Sequence, residues 1–163
     1  METGINRAKI LLLLILLSAL NSCRPDILFS SHEDFGHEGW NRYNVALFHA
    51  PVTDTISSAQ VDITIRTGSS YPYRNLYLFV TTIAPNGAQV VDTLEYMLAN
   101  EKGIRMGRGT GDVRELNLSL RKNVFFPVSG TYSFRVEHGM RTEILEGVYD
   151  VGLRIKKNTG KKR

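Results

Sequence analysis

The densest run of chemically capable side chains is SHEDFGHEGW, which gathers His32, Glu33, Asp34, His37 and Glu38. Imidazoles and carboxylates together are ligand types that hold zinc. A helical zinc site, however, spaces its two histidines by three residues with a catalytic Glu between them, and His32 and His37 stand further apart. The run also contains Gly36 and Gly39 and has no rigid element behind it, so a solvated polar linker describes it better. GRGTGD, from Gly107 to Asp112, has the glycine density of a phosphate-cradling loop. Such loops need a strand before and a helix after, so that backbone amides and helix dipole converge on the phosphate. Here a strand pattern follows, and the lysine with its Ser or Thr is missing. A turn that demands positive φ explains the glycines. Asp112 and Glu115 would order it by accepting amide hydrogen bonds, or hold a hard cation weakly.

The inventory for covalent and acid-base catalysis is equally thin. The chain has one cysteine, Cys23, and no serine in a G-x-S-x-G elbow. His138, in VEHGMR, alternates onto the face of Tyr132, Phe134 and Val136, the place of a satisfied, partly buried histidine. No two carboxylates are set in a shared cleft as an acid and base would be. These residues predict no catalytic, cofactor-binding or metal site, and a binding or structural protein rather than an enzyme. One binding alternative is a glycan or peptide module, with Tyr71, Tyr73, Tyr77 and Trp40 as an aromatic platform.

Cys23 itself stands in a distinctive context. It closes LLLLILLSALNSC, whose apolar run of about ten residues is too short for the ~20 that cross a bilayer. Arg7 and Lys9 precede the run, as in a secretory signal. Leu20-Asn21-Ser22-Cys23 resembles the bacterial lipobox, and that resemblance implies cleavage after residue 22. Cys23 would then begin the mature chain as an S-diacylglycerol cysteine with an N-acyl group. Two or three acyl chains, at ~0.8 kcal/mol per buried methylene, anchor stably where one is marginal.

Composition agrees with a tethered globular domain. The 163 residues carry a net charge of +4 and are 42% hydrophobic. Residues 23–163 suit one domain, able to bury roughly two-thirds of its surface without disulfides. Positive charge gathers in the tail from Lys156 to Arg163, which reads as a solvated terminus. No basic stripe is interleaved with aromatics, so no nucleic-acid face is expected.

The elements that must position any site are strands. VDITIRT sets Val61, Ile63 and Ile65 on one face, the period-two signature. NLYLFVTTI is apolar on both faces, as in a central strand packed on two sides. PNG then turns the chain into AQVVDTLEYML, a hairpin. Alternation recurs in VRELNLSLR, TYSFRVEH and YDVGLRIKK, and NVALFHAPV supplies a first strand. Seven strands with no amphipathic helix predict an all-β fold, an antiparallel β-sandwich of seven to eight strands, with a closed barrel as the alternative. The expected divisions are a signal peptide at 1–22, a lipid-proximal spacer at 23–41, the sandwich at 42–156 and a basic tail at 157–163.

Taken together, YPYRNLYLFV, PNG, DTLEYMLA, GRGTGDVRE, FPVSGTYSF and HGMR with GVYDVGLRI resemble the gliding-motility lipoproteins of the GldH type, from Bacteroidota. The resemblance runs from about Trp40 to Ile155 and includes the lipobox. It implies an envelope lipoprotein that serves gliding motility and the linked adhesin-secretion machinery, with envelope proteins of that apparatus as partners. It implies no activity or cofactor, and only Cys23 carries over as a site. Surface-exported lipoproteins of this phylum tend to carry acidic residues after the cysteine. Arg24-Pro25-Asp26 departs from that pattern and implies the periplasmic face of the outer membrane.

Overall fold

The computed structural model describes residues 26–158. Cys23 and the signal segment 1–22 lie outside the described residues. Ten strands follow in chain order: β1 (Ile27–Asp34), β2 (Trp40–Asn41), β3 (Ala46–Val52), β4 (Ala59–Thr67), β5 (Asn75–Ile83), β6 (Gln89–Met97), β7 (Arg114–Val124), β8 (Gly130–His138), β9 (Ile144–Leu145) and β10 (Val148–Lys157). Two four-stranded antiparallel sheets, ordered β1-β10-β4-β7 and β3-β8-β5-β6, face each other, and β2 pairs with β9 in a small ribbon. Each large sheet keeps open edges, so the architecture is a sandwich and not a closed barrel.

Alternation builds the core. Ile63 and Ile65 of β4, Leu153 and Ile155 of β10, and Leu118 of β7 point inward from one sheet. Leu78 and Val80 of β5, Phe48 of β3, and Phe134 and Val136 of β8 meet them from the other. Full burial of each such side chain is worth roughly 1.5–3 kcal/mol. All seven strands expected from the sequence are present. Asn86 and Gly87 form the β5–β6 turn, with Gly87 at φ 84°.

Three expectations are corrected. The stretch assigned to a spacer, 23–41, contains β1, which pairs with β10 from Ile27 to Asp34. As an edge strand exposed along nearly its whole length, β1 shows no polar/apolar alternation, so its sequence carries no period. The sandwich therefore starts at Ile27 rather than 42, and β10 takes in Lys157 from the assigned tail. Finally, β5 is central by pairing but packed on one face only, because Tyr77 and Phe79 look outward.

The strand directions give the sandwich two distinct ends. β1, β4, β6 and β8 begin, and β3, β5, β7 and β10 finish, at the end next to Asp26, called here the tether end for the anchor expected at Cys23. The loops 35–45, 68–74, 98–113 and 139–147 gather at the far end.

Candidate interaction site

At the far end, outside the sheet β3-β8-β5-β6, the chain leaves β8 through Gly139 and Met140. The Gly139 amide donates to the Tyr77 carbonyl at 2.7 Å, extending the β5–β8 ladder by one rung. A Cβ on Gly139 would lie 2.9 Å from the Phe79 ring, so its absence lets that ring rest on the backbone. Two adjoining grooves share this glycine. One, of about 410 Å³, is lined by Tyr73, Tyr77, Gly139, Met140 and Arg141. The other, of about 350 Å³, is lined by Arg42, Phe79, Glu137, His138 and Gly139. Together they form an aromatic strip rimmed by charges of both signs.

The strip is held from behind. Arg42 donates a side-chain hydrogen bond to the Met140 carbonyl, and a longer one of 3.3 Å to that of Thr142. The Met140 sulfur accepts from the Tyr77 amide at 3.4 Å. Glu95 lies directly opposite Tyr77 on β6 and pushes its phenol above the usual tyrosine range.

Beneath the groove floor lies a buried aromatic stack. Trp40, 1% exposed, lies parallel to Phe35 with centroids 5.0 Å apart. Its edge meets the His138 ring at 5.2 Å, and its Nε1 donates to the Asn44 carbonyl at 2.8 Å. Neither His138 ring nitrogen has a hydrogen-bond partner of normal geometry, although the ring is buried. Burial, followed by the Arg42 charge, lowers the His138 pKa from 6.5, against a weaker opposite pull from the Glu143 and Trp40 backbone. The histidine sits on the predicted face, its ring facing the Glu143 and Trp40 backbone without normal hydrogen-bond geometry.

A base with a lowered folded pKa binds fewer protons in the native than in the unfolded state. Its contribution to stability is thus full above about pH 6.5 and falls as pH drops through the unfolded value. The His138→Leu variant should therefore lose less stability on acidification than the wild type. Urea titrations at a series of pH values between 7.5 and 5 measure the difference. Parallel stability profiles would show that His138 does not titrate on unfolding.

The aromatic platform considered from the sequence is divided by the fold. Trp40 is internal, and Tyr71 is buried with its hydroxyl donating to the Asn75 carbonyl at 2.7 Å. Burial raises the Tyr71 pKa, with Tyr73 adding to the effect. Only Tyr73 and Tyr77 reach the groove, joined by Phe79 and Met140, which the sequence reading had not singled out. Phe79 belongs to a doubly apolar strand and Met140 to a loop, so neither carried a local signal.

The other sequence candidates fall elsewhere. His32, Glu33 and Asp34 end β1 rather than a linker, His32 lying opposite Gly152 and Asp34 opposite Asp150. Among the described residues no group of three His, Cys, Asp or Glu side chains is arranged to hold a metal. On that sheet's outer face, a polar groove of about 290 Å³ runs between Ser30, His32, Thr64, Arg66, Glu115 and Asp150. Asp150 is buried there against Arg66. Burial raises its pKa, and the guanidinium opposes the shift.

The glycine loop is a turn. Gly107, Gly109 and Gly111 have φ of 99°, 154° and 62°. Asp112 accepts the Ser69 amide at 3.0 and 3.1 Å, as expected of a loop-ordering carboxylate, and pins this loop to the neighbouring one. Bonding to Ser69, with help from Arg105, keeps the Asp112 carboxyl below its ordinary pKa.

Comparison with known proteins gives a consistent result. The family model described as GldH lipoprotein matches residues 27–155. A relative from Flavobacterium johnsoniae, "Gliding motility lipoprotein GldH", is 35% identical over 93% of this chain and 96% of its own. One from Christiangramia forsetii, "Gliding motility lipoprotein GldH homolog", is 33% identical over 85% of this chain and 88% of its own. Among solved structures, one of infectious bursal disease virus Gx strain aligns at 15% identity and a TM-score of 0.37. It covers 86% of this chain and 35% of its own, and at that score it carries no argument.

Proposed function

The chain belongs to the GldH lipoprotein family, and on that premise we propose that it is a non-catalytic, lipid-anchored accessory protein of the gliding and adhesin-secretion machinery. It would be fastened at Cys23 to the outer membrane, on the periplasmic face, and would grip a partner protein of the apparatus. The observation that carries the proposal is the position of the Tyr73–Tyr77–Phe79–Met140 strip. It is an aromatic surface with a charged rim, the composition favoured at interface cores. It also sits at the end of the sandwich opposite the tether, where a partner can reach it.

Two outward aromatics on one strand are natural anchors for such a contact. The Tyr77→Ala, Phe79→Ala double variant should lose about 2 kcal/mol or more of partner binding, roughly a 30-fold weakening. Crosslinking in intact cells, with identification of the attached protein, supplies the partner and then the comparison. Expressed in a strain lacking the wild-type gene, the variant should be present in membranes at normal level yet fail to restore spreading and adhesin secretion. Wild-type spreading and secretion after deletion of the gene would overturn the proposed role.

A further inference from the structure

The tether end is built differently from the far end. Its loops, 53–58, 84–88 and 125–129, contain one ionisable residue, Asp54. Lys157 donates to Asp54 at 2.9 Å and holds its carboxyl far below the usual carboxylate range. The far-end loops carry, among others, Arg42, Arg74, Arg105, Arg108, Arg141 and Glu143. Exposed apolar side chains occur at both ends, Tyr43 and Ile104 among them at the far end, but here they project from loops almost without charge. Ile56 is 87% exposed and Phe125 58%, and Ile27 and Leu28 at the start of β1 are also uncovered.

The exposed pair is held in place. The Asp54 carboxylate accepts the amides of Ile56 and Ser57 at 3.0 and 2.8 Å, fixing the turn that presents Ile56. Asn158 then ties the two loops together. Its side-chain nitrogen donates to Ser58 Oγ at 3.1 Å and to Asn123 Oδ1 at 2.8 Å, two residues before Phe125. Asn123 itself adopts φ 55°, a left-handed conformation that helps turn the chain out of β7. The Lys157 amide donates to the Asp26 carbonyl at 2.7 Å, so the last strand closes beside the start of β1.

We propose that this end of the sandwich is a second membrane contact. Ile56 and Phe125 enter the headgroup–acyl boundary of the same bilayer that holds the acyl chains, and Lys122 meets anionic headgroups. The proposal rests on acylation of Cys23, because chain length does much of the work. Only Arg24, Pro25 and Asp26 separate Cys23 from β1. Fully extended, the four steps from Cys23 to Ile27 span at most about 14 Å. Headgroups occupy roughly 5–8 Å on each side of a bilayer, so the apolar loops cannot be lifted far from them. Apolar tips flanked by cations are the pattern of segments that lie in the interface, and the apolar part of such segments sinks about 5–10 Å. Lys122, exposed three residues before Phe125 and outside the Lys157–Asp54 pair, supplies the anionic-lipid attraction.

The test uses the full, lipid-bearing chain reconstituted in vesicles of phosphatidylethanolamine and phosphatidylglycerol with brominated acyl chains. Two variants each add one reporter to the buried Trp40 background: Phe125→Trp at the tether end, and Ile104→Trp, also at an exposed position, at the far end. Flotation with the vesicles reads the anchor, and quenching reads depth. The Phe125→Trp reporter should lose roughly half its added emission, as expected of a side chain at the acyl boundary, and the Ile104→Trp reporter should lose none. Chains that float with both reporters unquenched, or quenched equally, overturn the membrane contact and leave the lipid anchor standing. Chains that do not float overturn both.

Discussion

The Cys23→Ser variant is expected to leave the membrane fraction almost completely while folding normally. The described fold begins at Asp26, and its ten strands pair only with one another, so the fold does not depend on the side chain at position 23. The anchor does. A single acyl chain gives an association constant of only about 10⁴ M⁻¹, and each methylene adds ~0.8 kcal/mol, so losing two or three chains removes several orders of magnitude in partition. What remains is the contact of the tether end, which depends in part on charge and is screened by salt. Fractionation in 0.5 M salt (roughly 4–5 Å of screening length), with acyl labelling of the same samples, reads the result. If the variant still pellets with membranes under those conditions, the attachment is not through Cys23.

The Trp40→Ala variant should be the most destabilising single truncation at the far end, by about 3–5 kcal/mol. Trp40 fills the space between Phe35, His138 and the Asn44 carbonyl, and β2 holds it there by pairing with β9 at Leu145. Removing it leaves a cavity beside an imidazole whose nitrogens are already unpartnered, and strips the stack from below the groove. Against a typical total stability of about 5–15 kcal/mol, that loss brings the domain close to its threshold. Urea unfolding should show a lower midpoint with an unchanged slope. Trp40→Phe should recover part of the loss, because a ring still stacks on Phe35 while the indole hydrogen bond is gone. A Trp40→Ala unfolding free energy within about 1 kcal/mol of wild type, by the same denaturation standard, would show that the stack does not contribute as the packing indicates.

Seven of the eight long strands were legible because their sheets are wet on one side, which imposes alternation. Leu116, Leu118 and Leu120, or Tyr132, Phe134 and Val136, announce the inward face directly. β1 was not legible, since an edge strand exposed on both faces needs no apolar period, and its SHED stretch reads as a metal motif or a linker instead. β2 and β9 hold two residues each, too few for any pattern. Strand order was equally out of reach, because β10 settles between β1 and β4 through contacts far apart in sequence. The groove was half visible. Tyr73 and Tyr77 stood out as aromatics, but Gly139 acquires its meaning only when Phe79 lies across it. The proposed attachment residue, Cys23, is the reverse case, read from a local pattern that involves no fold.

β1 runs from the Asp26 end toward the far end and is paired with β10 from Ile27 to Asp34. With the proposed anchor at Cys23 and the proposed partner at the far end, a pull between them would be directed along β1. Force applied in that direction shears the ladder, so its hydrogen bonds resist together. A pull across the strand would instead open them one after another from Ile27. An edge strand, the most easily peeled part of a sheet, is thus oriented so that tension on the tether meets the ladder's stiffest response.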